Sequence, residues 1–399
     1  MLSKECIEYV QAHLHEQSSA LLLRDGSRQW PFSLKEAVVQ VECRRKCRSK
    51  LARFLEEKSF RFADLVCAEQ ASHEHVARYH AALAGGGISV IDMTAGLGID
   101  SMSMAMAGAS VTAIELDAGR ASALCDNALT MGASSLKVVC GDSVEWLGSS
   151  AERSADVIFI DPARRDSAGK RAYGFSDCVP DLLAIRPLLL ARSRRLLVKA
   201  SPLLDVTQVL REVPETTVVR AVSVAGECKE LLLEARAEGG DCMMVAVDID
   251  REGNVKEFAV DSQACVSQPE YVDYHKDIAP GMYLYEPSAS VMKLAPWGAL
   301  SERFAGLRKL GSSTHLYLGD RLHEDFPGRV LIIEATPQRA ALKSLKGERI
   351  NVVTRNYPLP APQLEKKLGV RPAPSAERFI YGLRAGSTPC LVVGSVAVR

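Results

Sequence analysis

The sequence predicts an α/β protein: an open, mostly parallel sheet, with a helical region before it and small α+β units after it. Three observations carry this. Between residues 84 and 237, short β-rich apolar runs alternate with helical stretches. In the first 83 residues apolar side chains recur at helical spacing, as at Leu2, Ile7, Val10 and Leu14. Beyond residue 238, paired strand-like runs and short helices follow one another in smaller units. The chain has 399 residues, 47% hydrophobic and 25% charged, which excludes a disordered, collagenous or coiled-coil protein. No run approaches the roughly 18 apolar residues of a membrane span. The charged N-terminus does not read as a secretory signal. The 11 cysteines are scattered and form no CxxC pair. That points to a reducing cytoplasm rather than a disulfide framework or a zinc knuckle.

Each element has a local reason. Ser33, with Glu36 three residues on, is a capping-box pattern, and the helix it opens is expected to run to about Phe54. Residues 64–83 form another helix candidate. The strands of the central region are expected at Ile88–Asp92, Val111–Leu116, Leu136–Cys140, Val157–Asp161 and Arg195–Lys199, with helices near 99–107, 119–131, 144–148 and 178–192. Thr217–Val224 and Glu230–Ala235 read as a hairpin linked by residues 225–229, so the sheet is expected to end on an antiparallel strand. A strand pair fills 238–262, turned at 251–254. Residues 263–281 read as loop and 282–326 as a short α+β unit. Residues 327–399 are expected to hold four strands and helices near 337–346 and 361–368. The expected domains are therefore 1–84, 85–262, 263–326 and 327–399.

The sharpest chemical signal is residues 90–100, VIDMTAGLGID. A strand ends in Asp92, a small-residue loop follows through Thr94, Gly96 and Gly98, and a helix then starts beside Asp100. Glycines let a ligand approach the backbone, and the helix N-terminus offers free N–H groups. Glu115 ends the next strand, where a carboxylate can accept both hydroxyls of a ribose. Asp142, after the third strand, can accept from an adenine amino group. A dinucleotide and S-adenosylmethionine both fit such a set. The dinucleotide fingerprint wants Gly or Ala where Ser101 stands, and the hairpin favours S-adenosylmethionine.

On these residues, together with Asp161-Pro162 at the end of the fourth strand, the region 86–237 resembles a class I S-adenosylmethionine-dependent methyltransferase. The resemblance implies a Rossmann-like sheet with an antiparallel last strand and that cofactor. Further blocks (QVECRRKCRSKL, EQASHEHVARY, DPARRDSAGKR, YEPSASVMK, THLYLGD and VVTRNYPL among them) resemble a bacterial family that adds a small ferredoxin-like segment and a THUMP-like C-terminal domain.

Asp161-Pro162 matches the start of the signature by which amine-directed enzymes hold their target, but the aromatic that stacks on a flipped base is absent. Arg164 can stack or contact phosphate in its place. Asp161, Pro162, Arg164 and Lys199 are the catalytic candidates. Lys199 either points into the site or forms an ion pair with Asp161. Arg164, Arg165, Lys170, Arg171, Tyr173 and Phe175 form a basic, aromatic loop suited to a single-stranded or looped nucleic acid. Cys178 and Cys228 read as packing residues, and Glu227, Lys229 and Glu230 as surface residues of the hairpin turn. His73, His75 and His80 do not form a metal site, and methyl transfer needs no metal.

The net charge is zero, but the charge is not evenly spread. Residues 327–399 carry twelve basic and four acidic residues, a candidate surface for a polyanion. Lys343, Lys346, Arg349 and Arg355 fall near one helix–strand junction, and Lys366, Lys367 and Arg371 at the next helix end. The expected function is methylation of a nucleobase in tRNA or rRNA by a cytoplasmic enzyme. A methyltransferase of a small molecule or protein, and a non-catalytic RNA-binding protein with a vestigial cofactor fold, are the alternatives.

Overall fold

The fold comes from a computed structural model. It describes residues 1–150, 153–164, 174–263, 267–272, 277–337, 345–373 and 376–398. The chain divides into two compact units: 1–219 with 230–240, and 220–229 with 241–399.

The first unit begins with six helices: α1 Lys4–Ala12, α2 Ser18–Asp25, α3 Leu34–Cys47, α4 Ala52–Glu56, α5 Leu65–Gln70 and α6 Glu74–Ala84. The helix opened by Ser33 stops at Cys47, short of the expected Phe54, and the 64–83 stretch breaks into α5 and α6. Ser33 accepts from the Glu36 N–H at 3.2 Å and so caps α3. The segment 57–63, where the chain is irregular, would bury unpaired backbone groups, and three side chains satisfy them. Gln40 bonds both backbone groups of Phe62, at 2.7 and 2.9 Å. Asn127 does the same for Arg61, at 2.7 and 2.8 Å. The Arg44 guanidinium donates to the carbonyls of Lys58 and Phe60, each at 2.7 Å. With that backbone satisfied, Phe54, Phe60 and Phe62 share one apolar core with Val90, Met102, Phe159 and Leu197. The helical region is thus built onto the sheet.

The sheet alternates β1 Ser89–Asp92, α7 Ile99–Met106, β2 Ser110–Glu115, α8 Ala118–Thr130, β3 Leu136–Cys140, α9 Ser143–Gly148 and β4 Ala155–Ile160. A two-residue pair, β5 Ala163–Arg164 with β6 Cys178–Val179, follows. Then come α10 Leu182–Arg192, β7 Ser193–Ala200, α11 Val206–Glu212, β8 Thr216–Val224 and β9 Glu227–Ala235. The strand order is β8-β9-β7-β4-β1-β2-β3. Pairings across β7-β4-β1-β2-β3 are parallel, and β9 runs antiparallel to β7. The hairpin turn is Ala225-Gly226 alone, both at positive φ, the two-residue geometry that matches strand twist. It is tighter than the five residues expected. The expected antiparallel last strand is β9, which lies between β7 and β8. The order reverses at β1, so the carboxyl ends of β1 and β4 flank the crevice where open α/β sheets bind ligands.

In the second unit, β10 Met243–Ile249 pairs antiparallel with β11 Val255–Asp261. A seven-stranded sheet, β13-β14-β12-β15-β18-β17-β16, makes up the rest. Its elements are β12 Tyr283–Pro287, α12 Ala289–Leu294, α13 Trp297–Arg303, β13 Arg308–Lys309, β14 Tyr317–Gly319, β15 Gly328–Ala335, β16 Asn351–Arg355, α14 Ala361–Leu368, β17 Arg378–Ala385 and β18 Thr388–Val398. Strands from 282–326 and from 327–399 therefore share one sheet, joined where β12 pairs with β15. The helix expected near 337–346 falls mostly outside the described residues; the one at 361–368 is α14.

Candidate functional site

The loop after β1 is shaped by buried carboxylates. Asp92 is 1% exposed. It accepts the Thr94 N–H at 3.1 Å and the Ser101 hydroxyl. Burial pushes its carboxyl up to about 7. Gly96 and Gly98 have φ of +55° and +79°. A Cβ on Gly98 would lie 2.0 Å from Leu124 Cδ1, whereas one on Gly96 would meet nothing within 4 Å. Gly98 is therefore fixed by packing against α8, and Gly96 leaves open space over the loop. Glu115, 8% exposed, ties the loop to β2: Oε2 accepts the Gly96 N–H at 2.7 Å and Oε1 the Asp117 N–H at 2.9 Å. Leu116 follows it at 68% exposure, an apolar surface that the sequence reading assigned to β2 without a role. Asp142 caps α9, its Oδ1 accepting from Val144 and Glu145 at 2.8 and 3.0 Å, and its side chain stays exposed.

Across the crevice, the Asp161 N–H donates to Thr94 Oγ1 at 2.7 Å, so the ends of β1 and β4 are held together. The Asp161 side chain is 38% exposed. Behind it runs a buried charged chain. Lys199 Nζ donates to Asp161 Oδ2 at 2.6 Å and to Ser72 Oγ at 2.9 Å, and lies 3.9 Å from Glu230. Ser72 donates to Asp100 Oδ2 at 2.5 Å. His80, fully buried, bridges Asp100 at 2.8 Å and Glu230 at 2.5 Å. Burial disfavours charge on each member, and the neighbours decide the outcome. Burial pulls His80 down, but Glu230 and Asp100 overcome it and lift the imidazole to about 10. Burial pushes Asp100 up, but His80, Lys199 and Ser72 hold it near 2. Lys199 is pulled down by burial and raised on balance by Asp161, Glu230 and Asp100. Asp161 is raised by burial against the pull of Lys199. The chain thus sets three carboxylates, Asp100, Asp161 and Glu230, against two cations, Lys199 and His80.

Several sequence expectations change here. Asp100, read as a cofactor ligand, has both oxygens engaged inside the fold. Glu230, read as a surface residue, is 2% exposed, because β9 rather than β8 packs beside β7. Phe175, read as a substrate contact, is 1% exposed in a short 3-10 turn and packs in the interior. Pro162 is buried. Arg164 lies in β5. Arg165, Lys170, Arg171 and Tyr173 lie outside the described residues. Lys199 takes the ion-pair option with Asp161. His80 and Ser72 were missed as site residues; the signal available was a histidine on the apolar face of a helix, which elsewhere is usually core packing.

The loop and Asp161 lie within residues 54–172, which match the family model described as "Putative SAM-dependent methyltransferase". Residues 283–327 match a ferredoxin-like domain model. A curated relative, Ribosomal RNA small subunit methyltransferase J of Laribacter hongkongensis (strain HLHK9), is 36% identical over 127 residues, covering 28% of this chain and 45% of the relative. The chain thus spans less than half the length of that relative. A crystal structure described as a "putative methyltransferase from Porphyromonas gingivalis W83" matches over 100% of both chains, with a TM-score of 0.83 and 24% identity, which establishes the shared fold. Among the described residues, no helix is long and apolar enough to cross a membrane.

Proposed function

We propose that this chain, whose residues 54–172 match the SAM-dependent methyltransferase model and whose residues 283–327 match the ferredoxin-like one, methylates a nucleobase in RNA, in tRNA or rRNA. S-adenosylmethionine supplies a methyl group on a sulfonium that is already a good leaving group. The residues fit that donor. Glu115 presents a buried carboxylate for ribose hydroxyls, Gly96 leaves its backbone open to close approach, Asp142 stands at the third strand end for an amino group, and Leu116 offers an apolar face for a base. Asp92 and Thr94 keep the loop in shape. The net negative charge of the buried chain favours a cationic donor over a neutral one.

Asp161 carries the acceptor side of the reading. It is the half-exposed carboxylate at the switch point, held by Lys199 and fixed to the loop through Thr94. In that position it accepts a hydrogen bond from the acceptor amine and aims the nitrogen lone pair. Rate then comes from orientation rather than from covalent catalysis. The RNA part of the reading is supported by the relative named as a ribosomal RNA methyltransferase and by the basic C-terminal residues.

The test uses methyl-labelled S-adenosylmethionine with total RNA from a strain lacking the protein. Wild type should label RNA. Asp161→Ala should label none while binding the cofactor within a few-fold, since a group aimed at the acceptor acts mainly in the transition state. Label confined to protein or small molecules would overturn the RNA assignment, and wild-type turnover by Asp161→Ala would overturn the role of Asp161.

A further inference from the structure

Nine described basic residues of 327–399 fall into two classes. Arg329 and Arg355 pair with Glu286, and Arg378 pairs with Glu334 and Glu348. Arg384 donates to the carbonyls of Asn356 and Ser387. Lys346, Arg349, Lys366, Lys367 and Arg371 are exposed and make no ion pair among the described residues. These five are neighbours. The segment 347–350 runs beside 369–371: Gly347 N–H donates to Gly369 O at 2.8 Å, Arg371 N–H to Glu348 O at 2.8 Å, and Ile350 N–H to Arg371 O at 3.0 Å. Arg349 and Arg371 face each other in a parallel bridge. Lys346 lies against Gly369, where a Cβ would sit 3.1 Å from its Cγ. Lys366 and Lys367 lie in the last turn of α14, whose C-cap is that glycine. Of the two acids in these segments, Glu348 is engaged by Arg378 at 2.8 Å, and Glu365 remains.

We propose that this patch, Lys346, Arg349, Lys366, Lys367 and Arg371, is a docking surface for the phosphate backbone of RNA. Five cations left without acidic partners on one small surface repel one another, and a run of phosphates offsets that repulsion. No exposed large apolar side chain lies among the described residues of 345–371, so the patch lacks the wedge of a membrane-surface element. The proposal rests on the RNA part of the preceding reading. It adds which residues hold the substrate.

Filter binding of bulk tRNA across salt tests it. If all five contact phosphates of single-stranded RNA, log K should fall with log salt at a slope of about −3.5, roughly a 100-fold loss for a fourfold rise in salt. Lys366→Gln/Lys367→Gln should flatten the slope by about 1.4 units and leave cofactor affinity unchanged. Arg349→Gln/Arg371→Gln, on the other segment, should flatten it by a similar amount. Coincident curves for wild type and both variants, with label transfer to RNA intact, would overturn the surface and leave the methyltransferase reading standing. Separated curves with no transfer to RNA would support the surface and overturn that reading. Wild type that sediments with phosphatidylglycerol vesicles but binds no tRNA would overturn the RNA assignment of the patch.

Discussion

Replacing His80 with Gln removes a buried cation that sits between two carboxylates, Asp100 and Glu230. The imidazolium bonds Asp100 at 2.8 Å and Glu230 at 2.5 Å with no solvent exposure. Its pKa rises from 6.5 to about 10 in the fold. A raised folded-state value means that the native state binds the proton more tightly than the unfolded chain. The stabilisation is therefore fully present below about pH 6.5 and is lost as pH climbs towards 10. At 1.36 kcal/mol per unit the shift corresponds to something on the order of 5 kcal/mol. Breaking a buried ionic cluster by deleting one partner costs about 3–5 kcal/mol, a consistent figure reached independently. His80→Gln should thus be less stable than wild type by about 3–5 kcal/mol near pH 6, with the gap closing as pH approaches 10. Urea unfolding followed by circular dichroism at half-unit pH steps measures it. Parallel pH profiles, or a gap that widens above pH 8, would refute the assignment of a charged His80.

Two further variants probe the cofactor loop. Glu115→Ala removes the carboxylate proposed to accept two ribose hydroxyls and unties the Gly96 and Asp117 N–H groups; it should weaken S-adenosylmethionine binding by about 10–150-fold in calorimetry, and equal affinity would remove Glu115 from the site. Gly98→Ala places a Cβ 2.0 Å from Leu124 Cδ1 at a φ of +79°; it should cost roughly 2–4 kcal/mol and lower the Tm by about 5–15 °C, and an unchanged melting curve would refute the packing argument.

The parallel sheet, its strand ends and the glycine loop were legible in the sequence because they are local. Strand–helix periodicity needs about ten residues to declare itself, and the order Asp92, Gly96, Gly98, Glu115, Asp142, Asp161 follows the strands one by one. Helix breaks were less legible. Apolar spacing continues from α3 to Phe54 and across α5 and α6, whereas the backbone between α3 and α4 is tied to the start of α6, with the Glu74 N–H donating to Lys50 O at 3.0 Å and the Arg53 N–H to Glu74 Oε2 at 2.8 Å.

What chain order could not give was contact across it. His80 meets Glu230 over 150 residues only because β9 rather than β8 inserts beside β7, a choice made by packing and register. The same choice turned Glu230 from a turn residue into a buried one. Lys199 offered two orientations, and the buried Asp161, Ser72 and Glu230 around it selected one. In the C-terminal quarter, composition announced a positive charge but not its location. Pairing with Glu286, Glu334 and Glu348 withdrew Arg329, Arg355 and Arg378, and the bridge between 349 and 371 gathered the rest. Burial and charge pairing are properties of three-dimensional neighbours, so the sequence determined the cofactor scaffold, whereas only the tertiary structure decided which charges face each other and which face out.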